Sequence, residues 1–222
     1  MKFTRKALCG SVAAVVLASS ALMVSSQAAA EAEVGASAAV ASTYLWRGYD
    51  LGSGTPAVSG DINVSAAGAY AGVWGSSGDT SAGTEYDLYA GYGVELGGVS
   101  VDLSVWNYNY PTGAGYTLDG ETDFSDLTEV ILSVGFGPVT AAYYDNVAGS
   151  SGYEYYTLGV EFGKFSVLAG MHDTVGGEDP VHLNVSYAYN DSLSFTVSQF
   201  ISDEPEGDDL KFVVSYSLPI SE

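Results

Sequence analysis

Acidic side chains at alternating positions are the residues of this chain with the most distinctive chemistry. Asp and Glu number 27 against six Lys and Arg, so the 222-residue chain has a formal net charge of -21 at pH 7. Glu85, Asp87 and Glu95 share one side of an extended segment, opposite Tyr86 and Leu88. Rings of carboxylates in a narrow aqueous passage attract cations and repel anions. The pattern therefore predicts a passage that prefers cations.

Eight charged residues are predicted to line this passage, the acids because they fall opposite the apolar stripe. The set consists of Arg47, Asp61, Glu85, Asp87, Asp102, Glu129, Glu161 and Lys211. Arg47 is expected at the rim, paired with a luminal carboxylate such as Asp61, Glu85 or Asp87. Two interpretations of Arg47 stay open: it forms one side of a constriction that tunes selectivity, or it is a strut that relieves repulsion between acids.

The residues that could support catalysis or bind metal form weaker patterns. His172 and His182 lie in no recognisable nucleophile motif and fall on the inward parity, so no enzyme activity is predicted. The alternating acids at positions 119, 121, 123 and 126 could hold Ca²⁺ or bridge lipopolysaccharide, but Phe124 replaces the glycine that an EF-hand requires. A solvated acidic loop is the preferred interpretation. No cofactor or metal site is predicted.

The elements that must position these residues are β-strands. Hydrophobic residues make up 47% of the chain, yet beyond the N-terminal leader no run reaches the ~20 apolar residues of a membrane-spanning helix. The apolar residues instead form blocks of ~8 to 10, separated by Gly, Asn, Asp and Pro. No charged residue falls on the apolar parity of these blocks, as expected where that side meets hydrocarbon. The pattern predicts an all-β fold, a single antiparallel transmembrane β-barrel.

Twelve strands are predicted, with ten as the alternative because the first and third segments alternate weakly. The segments cover residues 34–46, 58–66, 69–75, 86–96, 99–107, 129–136, 139–144, 155–162, 165–171, 181–189, 193–200 and 210–218. Tight turns follow the even-numbered segments and longer loops follow the odd-numbered ones. Because short turns are periplasmic and long loops extracellular in bacterial barrels, both termini are predicted to be periplasmic.

Aromatic residues on the apolar parity collect near the strand ends, where they are predicted to form two interfacial girdles. The girdle near the long loops would contain Tyr44, Trp46, Tyr86, Tyr143 and Tyr156. The girdle near the short turns would contain Phe136, Phe162, Tyr187, Tyr189 and Tyr216.

The N-terminus is typical of a cleaved secretory signal peptide. Lys2, Arg5 and Lys6 precede an apolar run over residues 7–24 and then small residues ending at Ala30. Residues 1–30 are therefore predicted to be removed, leaving a barrel over residues 31–222 with three cations against 27 acids. The only cysteine, Cys9, would leave with the leader, so the mature chain is predicted to have no thiol.

Several segments resemble the TorF family of porins of Gram-negative bacteria. They are Tyr44 to Gly48, Thr55 to Ala57, Gly68 to Trp74, Glu85 to Tyr92 and Tyr108 to Pro111, in that order. The resemblance covers the mature chain, most clearly residues 44–129. It implies an outer-membrane barrel that acts as a porin.

Two function classes follow from these patterns. The first is an outer-membrane channel for passive diffusion of small solutes, with a preference for cations. The alternative is a filled structural or surface-interaction barrel without transport activity. A barrel of eight strands is filled by side chains and one of sixteen to eighteen is open, so twelve lies between the two cases. The expected partners are outer-membrane lipid, lipopolysaccharide and small solutes or cations, and no nucleic acid.

Overall fold

Antiparallel strands account for nearly all of the computed structural model, which describes residues 32–113, 127–148, 152–203 and 209–220. The strands in chain order are β1 Glu33–Ala41, β2 Leu45–Trp46, β3 Tyr49–Asp50, β4 Ala57–Ala66, β5 Ala69–Asp79, β6 Gly83–Leu96, β7 Val99–Asn109, β8 Leu127–Phe136, β9 Val139–Asn146, β10 Glu154–Phe162, β11 Phe165–Asp173, β12 Val181–Ala188, β13 Leu193–Ser202 and β14 Lys211–Pro219.

Twelve of these strands close into one barrel, whereas β2 and β3 form a separate two-stranded hairpin. Each barrel strand pairs antiparallel with its neighbours, and β1 completes the ring between β4 and β14. Val40 of β1, for example, lies opposite Val58 on one side and Tyr216 on the other. The predicted twelve-stranded antiparallel barrel is confirmed, and the ten-stranded alternative is wrong.

The alternation of side chains decides which strand face points into the lumen. On β6, Glu85, Asp87 and Tyr89 are buried, whereas Tyr86 and Leu88 between them are exposed. Exposed large apolar side chains occur on every one of the twelve barrel strands. Since residues two apart share a face, each strand places one set inside and the other on the outer surface.

Glycine-containing turns give the barrel two different ends. In the turn Ala67-Gly68 both residues have positive φ, +51° and +88°, and in Gly97-Gly98 the values are +62° and +88°. Such angles fit the right-handed twist of a two-residue hairpin. These turns and those at 137–138, 163–164 and 189–192 lie at one end, which we call the turn end. The other end is called the loop end. β1 begins and β14 ends at the turn end.

Strand boundaries differ from the predicted ones mainly at the loop end. The first strand stops at Ala41 instead of continuing to residue 46. The third predicted connection, expected to be long, is only three residues, because β5 and β6 both extend and Asp79 accepts hydrogen bonds from the backbone of Ser81 and Ala82.

Longer strands also bring charge onto the outer face at this rim. Asp145, Glu154 and Asp173 lie side by side on β9, β10 and β11, on the outward parity next to Tyr143 and Tyr156. The prediction of an uncharged outward parity therefore applies to the shorter predicted segments and not to their loop-end extensions.

The predicted signal peptide, residues 1–30, and the acidic loop at 119–126 lie outside the described residues. Among the residues that the structure does describe, no helix is long and apolar enough to cross a membrane.

Candidate functional site

The connection between β1 and β4 turns into the lumen instead of arching away from it. We call residues 42–56 the inserted loop. Its core is the β2–β3 hairpin, in which Leu45 pairs with Asp50 and Trp46 with Tyr49. The two residues at the tip, Arg47 and Gly48, have φ of +46° and +90°, the signs of a type I′ turn. Glycine adopts this conformation freely, whereas it costs Arg47 about 1–2 kcal/mol.

Arg47 at the hairpin tip forms a buried ion pair with the barrel wall. Its Nη1 donates to Oε1 of Glu129 at 2.8 Å and its Nη2 donates to Oε2 at 2.5 Å. The guanidinium carbon also lies 4.5–4.7 Å from the ring centroids of Trp46, Tyr144 and Tyr155. Arg47 is only 6% exposed and Glu129 5%. Both charges are thus desolvated. Bidentate hydrogen bonds between an arginine and a carboxylate are stronger than hydrogen bonds between neutral groups.

A chain of hydrogen bonds continues from Arg47 to β11, three strands from β8 in the ring. Arg47 Nη1 donates to the Tyr153 hydroxyl at 3.2 Å, and that hydroxyl lies 2.8 Å from His172 Nδ1. His172 Nε2 lies 2.8 Å from the Arg47 carbonyl oxygen. Since a carbonyl only accepts, Nε2 carries the proton and Nδ1 accepts from Tyr153. Both ends of the tip residue, backbone and side chain, are therefore fixed to the wall.

The ionisation of the loop residues is set by this burial. Burial alone would lower the pKa of the Arg47 guanidinium, but the Glu129 carboxylate and the neighbouring phenols raise it well above its ordinary value. Burial raises the pKa of Tyr153 to about 12. Arg47 thus stays charged and Tyr153 stays a neutral donor at neutral pH.

The hairpin tip reaches strands β12 and β13. A side chain on Gly48 would begin 2.8 Å from the Cβ of His182 and 2.8 Å from the ring of Phe200. Tyr49 packs on the same surface, with its ring centroid 4.9 Å from that of Phe200 and 5.3 Å from that of His172. Phe200 is completely buried. Since Arg47 also bonds to β8, nearly opposite β1 in the ring, the inserted loop extends across the lumen.

The beginning of the inserted loop is fixed on β6. The Tyr44 hydroxyl donates to Glu85 Oε2 at 2.6 Å, and the Tyr110 hydroxyl donates to Glu85 Oε1 at 2.8 Å. Burial and the nearby Glu85 carboxylate raise the pKa of Tyr44. Tyr44 also packs against Trp74 of β5, with ring centroids 6.1 Å apart. Glu85 is thus satisfied by two phenols.

Asp87 occupies the next inward position on β6 and differs from its neighbours. It is 1% exposed, and its Oδ1 has no hydrogen-bond partner within the described part of the chain. The nearby carboxylates of Glu85 and Glu129 repel a negative charge on Asp87. A buried carboxylate without a partner is costly.

Below the inserted loop, a tyrosine of one strand crosses a glycine to reach an aspartate two strands away. Tyr89 of β6 donates to Asp61 of β4 at 2.7 Å, and its ring lies where a side chain on Gly72 of β5 would be. Its other face stacks on Trp106 with ring centroids 4.2 Å apart.

The same arrangement recurs one strand along. Tyr70 of β5 donates to Asp102 of β7 at 2.8 Å, crossing the position of Gly91 on β6. In this wall, aromatic rings occupy the space that small inward residues such as Gly91 leave. Tyr89 and Trp106 belong to a buried cluster inside the barrel with Ile131, Ala142, Tyr144 and Tyr155.

The remaining predicted residues lie toward the two ends. Glu161 is exposed near the turn end of β10. Lys211 is half-buried at the loop end of β14, where its Nζ donates to the Asp209 carbonyl at 3.2 Å and lies 5.5 Å from the Phe200 ring centroid. The structure therefore brings Arg47, Glu85, Asp87 and Glu129 together and keeps the other four charged residues apart from them.

A cavity of about 380 Å³ lies between the inserted loop and the loop ends of β7–β10. Most of its lining is aromatic, with Glu129 and Asn146 as the polar exceptions. The aromatic lining residues are Tyr44, Trp46, Tyr49, Tyr108, Tyr110 and Tyr153.

The two histidines are structural parts of the same packing. His182 Nε2 lies 2.7 Å from the Tyr155 hydroxyl, and its Nδ1 lies 3.1 Å from Asn184 Oδ1. His182 is fully buried, so a substrate does not reach it in this arrangement. No group of three or more His, Cys, Asp or Glu side chains in the described segments has the spacing of a metal site.

One prediction about the loop end is wrong. Tyr44 and Trp46 were assigned to the outer aromatic girdle, but Tyr44 is buried in the lumen and Trp46 packs on Arg47. The error follows from continuing the first strand to residue 46, since this puts the loop residues on the barrel wall. Arg47 pairs with a luminal carboxylate, as expected, but this carboxylate is Glu129 and not one of the examples Asp61, Glu85 and Asp87.

Comparisons with known proteins give a family and two similar solved structures. Residues 25–205 match the model of the Gcw_chp family, described as bacterial protein of unknown function. No curated protein matches the sequence. The solved structure of outer membrane phospholipase A from Escherichia coli is similar, with a TM-score of 0.44 and 11% identity over 84% of this chain and 92% of that one. An active-site mutant of the same enzyme gives a TM-score of 0.44 and 12% identity over 83% and 89%.

The resemblance to TorF porins is not among these findings and stays a prediction. The family model, in contrast, covers most of the chain, including the inserted loop and all barrel strands up to β13. The protein belongs to the Gcw_chp family of bacterial proteins of unknown function.

Proposed function

We propose that the protein is an outer-membrane barrel of a Gram-negative bacterium whose lumen is closed by the inserted loop, and that it works as a structural or surface-interaction barrel. The observation that carries this proposal is the buried Arg47–Glu129 ion pair, which holds the hairpin tip inside the barrel. The proposal includes no catalytic activity, no cofactor and no nucleic-acid partner.

The outer surface supports the membrane location. Exposed Leu, Val, Ile, Phe and Tyr side chains occur on all twelve barrel strands. A closed barrel leaves no unpaired strand edge, which is the condition for crossing hydrocarbon with strands. The turn end, where β1 begins and β14 ends, would face the periplasm, and the loop end would face outward, toward lipopolysaccharide.

The contacts of the inserted loop support closure. Tyr44 bonds to β6, Arg47 bonds to β8, and Gly48 lies against β12 and β13. A loop that touches strands on opposite sides of the ring fills the space between them. The aromatic cluster below it narrows the passage further.

Passive diffusion of small solutes, with a preference for cations, is the second candidate. Small inward residues at the turn end, such as Ser133, Gly135 and Ser166, are partly exposed, and Glu95 and Glu161 are exposed there. This function requires the inserted loop to leave the lumen or to leave a path beside it.

Planar-bilayer conductance of the refolded chain, residues 31–222, separates the two candidates. We expect no steady conductance from the unaltered protein, and steady conductance when residues 43–55 are replaced by a short Gly-Ser linker. Steady conductance of the unaltered protein would contradict the closed barrel. In that case the reversal potential in a salt gradient measures cation preference, and replacing Glu85, Asp87, Asp102 and Glu129 by their amides should lower it.

Membrane insertion has its own test. Leu88 is exposed near the middle of β6, and an Arg at the bilayer midplane costs roughly 2–4 kcal/mol. Leu88→Arg should therefore reduce insertion into lipid vesicles, whereas Leu88→Met should insert normally. Equal insertion of both variants would argue against a lipid-facing position.

A further inference from the structure

The aromatic cavity at the loop end has the chemistry of a ligand site. Its volume of about 380 Å³ falls in the range of small-molecule pockets in proteins. It is bounded by the inserted loop on one side and by the barrel wall on the other, so this inference rests on the loop being inserted as the proposed function requires.

Four of the five tyrosine hydroxyls around the cavity already form hydrogen bonds with other side chains. Tyr44 and Tyr110 donate to Glu85, and Tyr108 donates to Glu129 at 2.7 Å. Tyr153 is held between Arg47 and His172. What these residues offer to an occupant is therefore the aromatic ring. A sugar or another polyol needs several hydrogen-bond partners, so this lining suits it poorly.

The charges of the surrounding side chains favour a positively charged ligand. Glu129 lines the cavity and is paired with Arg47. Glu85 lies behind the lining, where it accepts hydrogen bonds from Tyr44 and Tyr110, and Asp87 is the next inward residue on the same strand. Neither Glu85 nor Asp87 forms an ion pair with a described residue, and Asp87 Oδ1 has no partner at all among them. A cation in the cavity would supply the counter-charge that these buried acids lack.

We infer that the cavity binds a small organic ammonium ion with an apolar or aromatic body. Aromatic rings attract such ions through their negative faces, and the attraction grows when water is excluded. The aliphatic remainder of the lining accommodates the apolar body. The high net negative charge of the chain also raises the local concentration of cations at the loop end of the barrel.

The test uses 2-phenylethylammonium and its neutral analogue 2-phenylethanol, titrated by calorimetry into the refolded full barrel, with empty micelles as the blank. We expect saturable binding of the ammonium ion and about ten-fold weaker binding of the alcohol. Equal affinity for both would mean a merely apolar pocket and would overturn the inference, as would the absence of saturable binding.

Matched variants of Tyr110 locate the site. Tyr110→Phe keeps the ring and frees Glu85, so binding should be as tight or tighter. Tyr110→Leu keeps the apolar bulk but loses the ring, so binding should weaken about ten-fold. Tyr92→Leu, on the outer face, is the control and should bind normally. Unchanged binding by Tyr110→Leu would contradict the inference.

The conductance experiment keeps the two proposals distinguishable. Ammonium binding by a barrel that conducts would contradict only the closed-barrel function. A closed barrel without ammonium binding would contradict only the ligand site.

Discussion

The two ends of the lumen are built differently. At the loop end, an inserted segment brings its own arginine and tyrosines to the acids of the wall, and Glu85 and Glu129 are bonded to residues distant in the sequence. At the turn end, turns of two to four residues join the strands, and Glu95 and Glu161 are exposed. The same residue type is therefore a buried structural partner at one end and a solvated charge at the other.

This difference shows that the inward parity of a strand does not define a passage. Parity places an acid inside the barrel, but the segments that fold in from the loops decide whether the acid faces water. Burial of Glu129 beside Arg47 makes it a fixed point of the structure, whereas exposure leaves Glu161 available to ions. The following substitutions test that contrast.

Loss of the tip arginine should have the largest effect. Arg47→Leu leaves the Glu129 charge buried without its partner, which costs roughly 3–5 kcal/mol. Urea unfolding in lipid vesicles should show this loss of stability. Lys164→Leu, which removes an exposed cation from the turn end, should change stability by less than about 0.5 kcal/mol. Equal effects of the two substitutions would mean that Arg47 is not buried in the lumen.

The next comparison is between alanine substitutions at two glycines of the inserted loop. Gly48 and Gly54 have φ of +90° and +73°, but a side chain on Gly54 would meet nothing within 4 Å. Both alanine substitutions therefore share a backbone cost of about 1–2 kcal/mol. Gly48→Ala should cost about 1–3 kcal/mol more, because its methyl group meets His182 and Phe200. The same unfolding measurement gives the difference, and a value near zero would place the tip away from the wall.

A smaller loss of stability is expected when a glycine covered by a crossing tyrosine is replaced. Gly72→Ala should displace Tyr89 from Asp61 and cost about 1–3 kcal/mol. Gly159→Ala is the control, since a side chain there meets only ordinary contacts at 3.8–4.0 Å. Tyrosine fluorescence and unfolding midpoints should separate the two variants. Identical behaviour would show that Tyr89 does not lie across Gly72.

The smallest effect is expected at the turn end. Glu161→Gln should change stability by less than about 0.5 kcal/mol, because the carboxylate is exposed. Glu129→Gln, which removes a charge from the buried pair, should destabilise the barrel clearly. Thermal unfolding followed by gel mobility compares them. A large effect of Glu161→Gln would mean that the turn end is packed like the loop end.

The barrel wall could be predicted from sequence because alternation and turn glycines are local signals. All twelve barrel strands begin within three residues of the predicted position, and the tight turns predicted at 67–68 and 97–98 have the positive φ that two-residue hairpins favour. The inward parity of Glu85, Asp87 and Glu129 was read from the same alternation.

The inserted loop could not be predicted from alternation, since residues 42–46 continue the pattern of β1. Its turn carries Arg-Gly instead of the Asn-Gly or Asp-Gly that usually marks a type I′ hairpin. The signal that was available is the lone arginine between aromatic residues in a strongly acidic chain. Its partner, Glu129, is 82 residues away, and such a pairing depends on the closed ring.

Disulfide formation between the inserted loop and the barrel wall tests insertion most directly. The Cβ positions of residues 48 and 182 lie 2.8 Å apart, within about 1 Å of the spacing in a disulfide, and His182→Cys removes one of the two rings, those of His182 and Phe200, that would crowd Gly48→Cys. A second pair, Tyr44→Cys with Gly78→Cys, has Cβ positions 2.9 Å apart and needs no positive φ at the new cysteine. In folded barrels lacking the leader, mild oxidation should cross-link both pairs but not Ser53→Cys with His182→Cys, since Ser53 is exposed. Failure of both pairs to cross-link in folded protein would contradict the inserted loop.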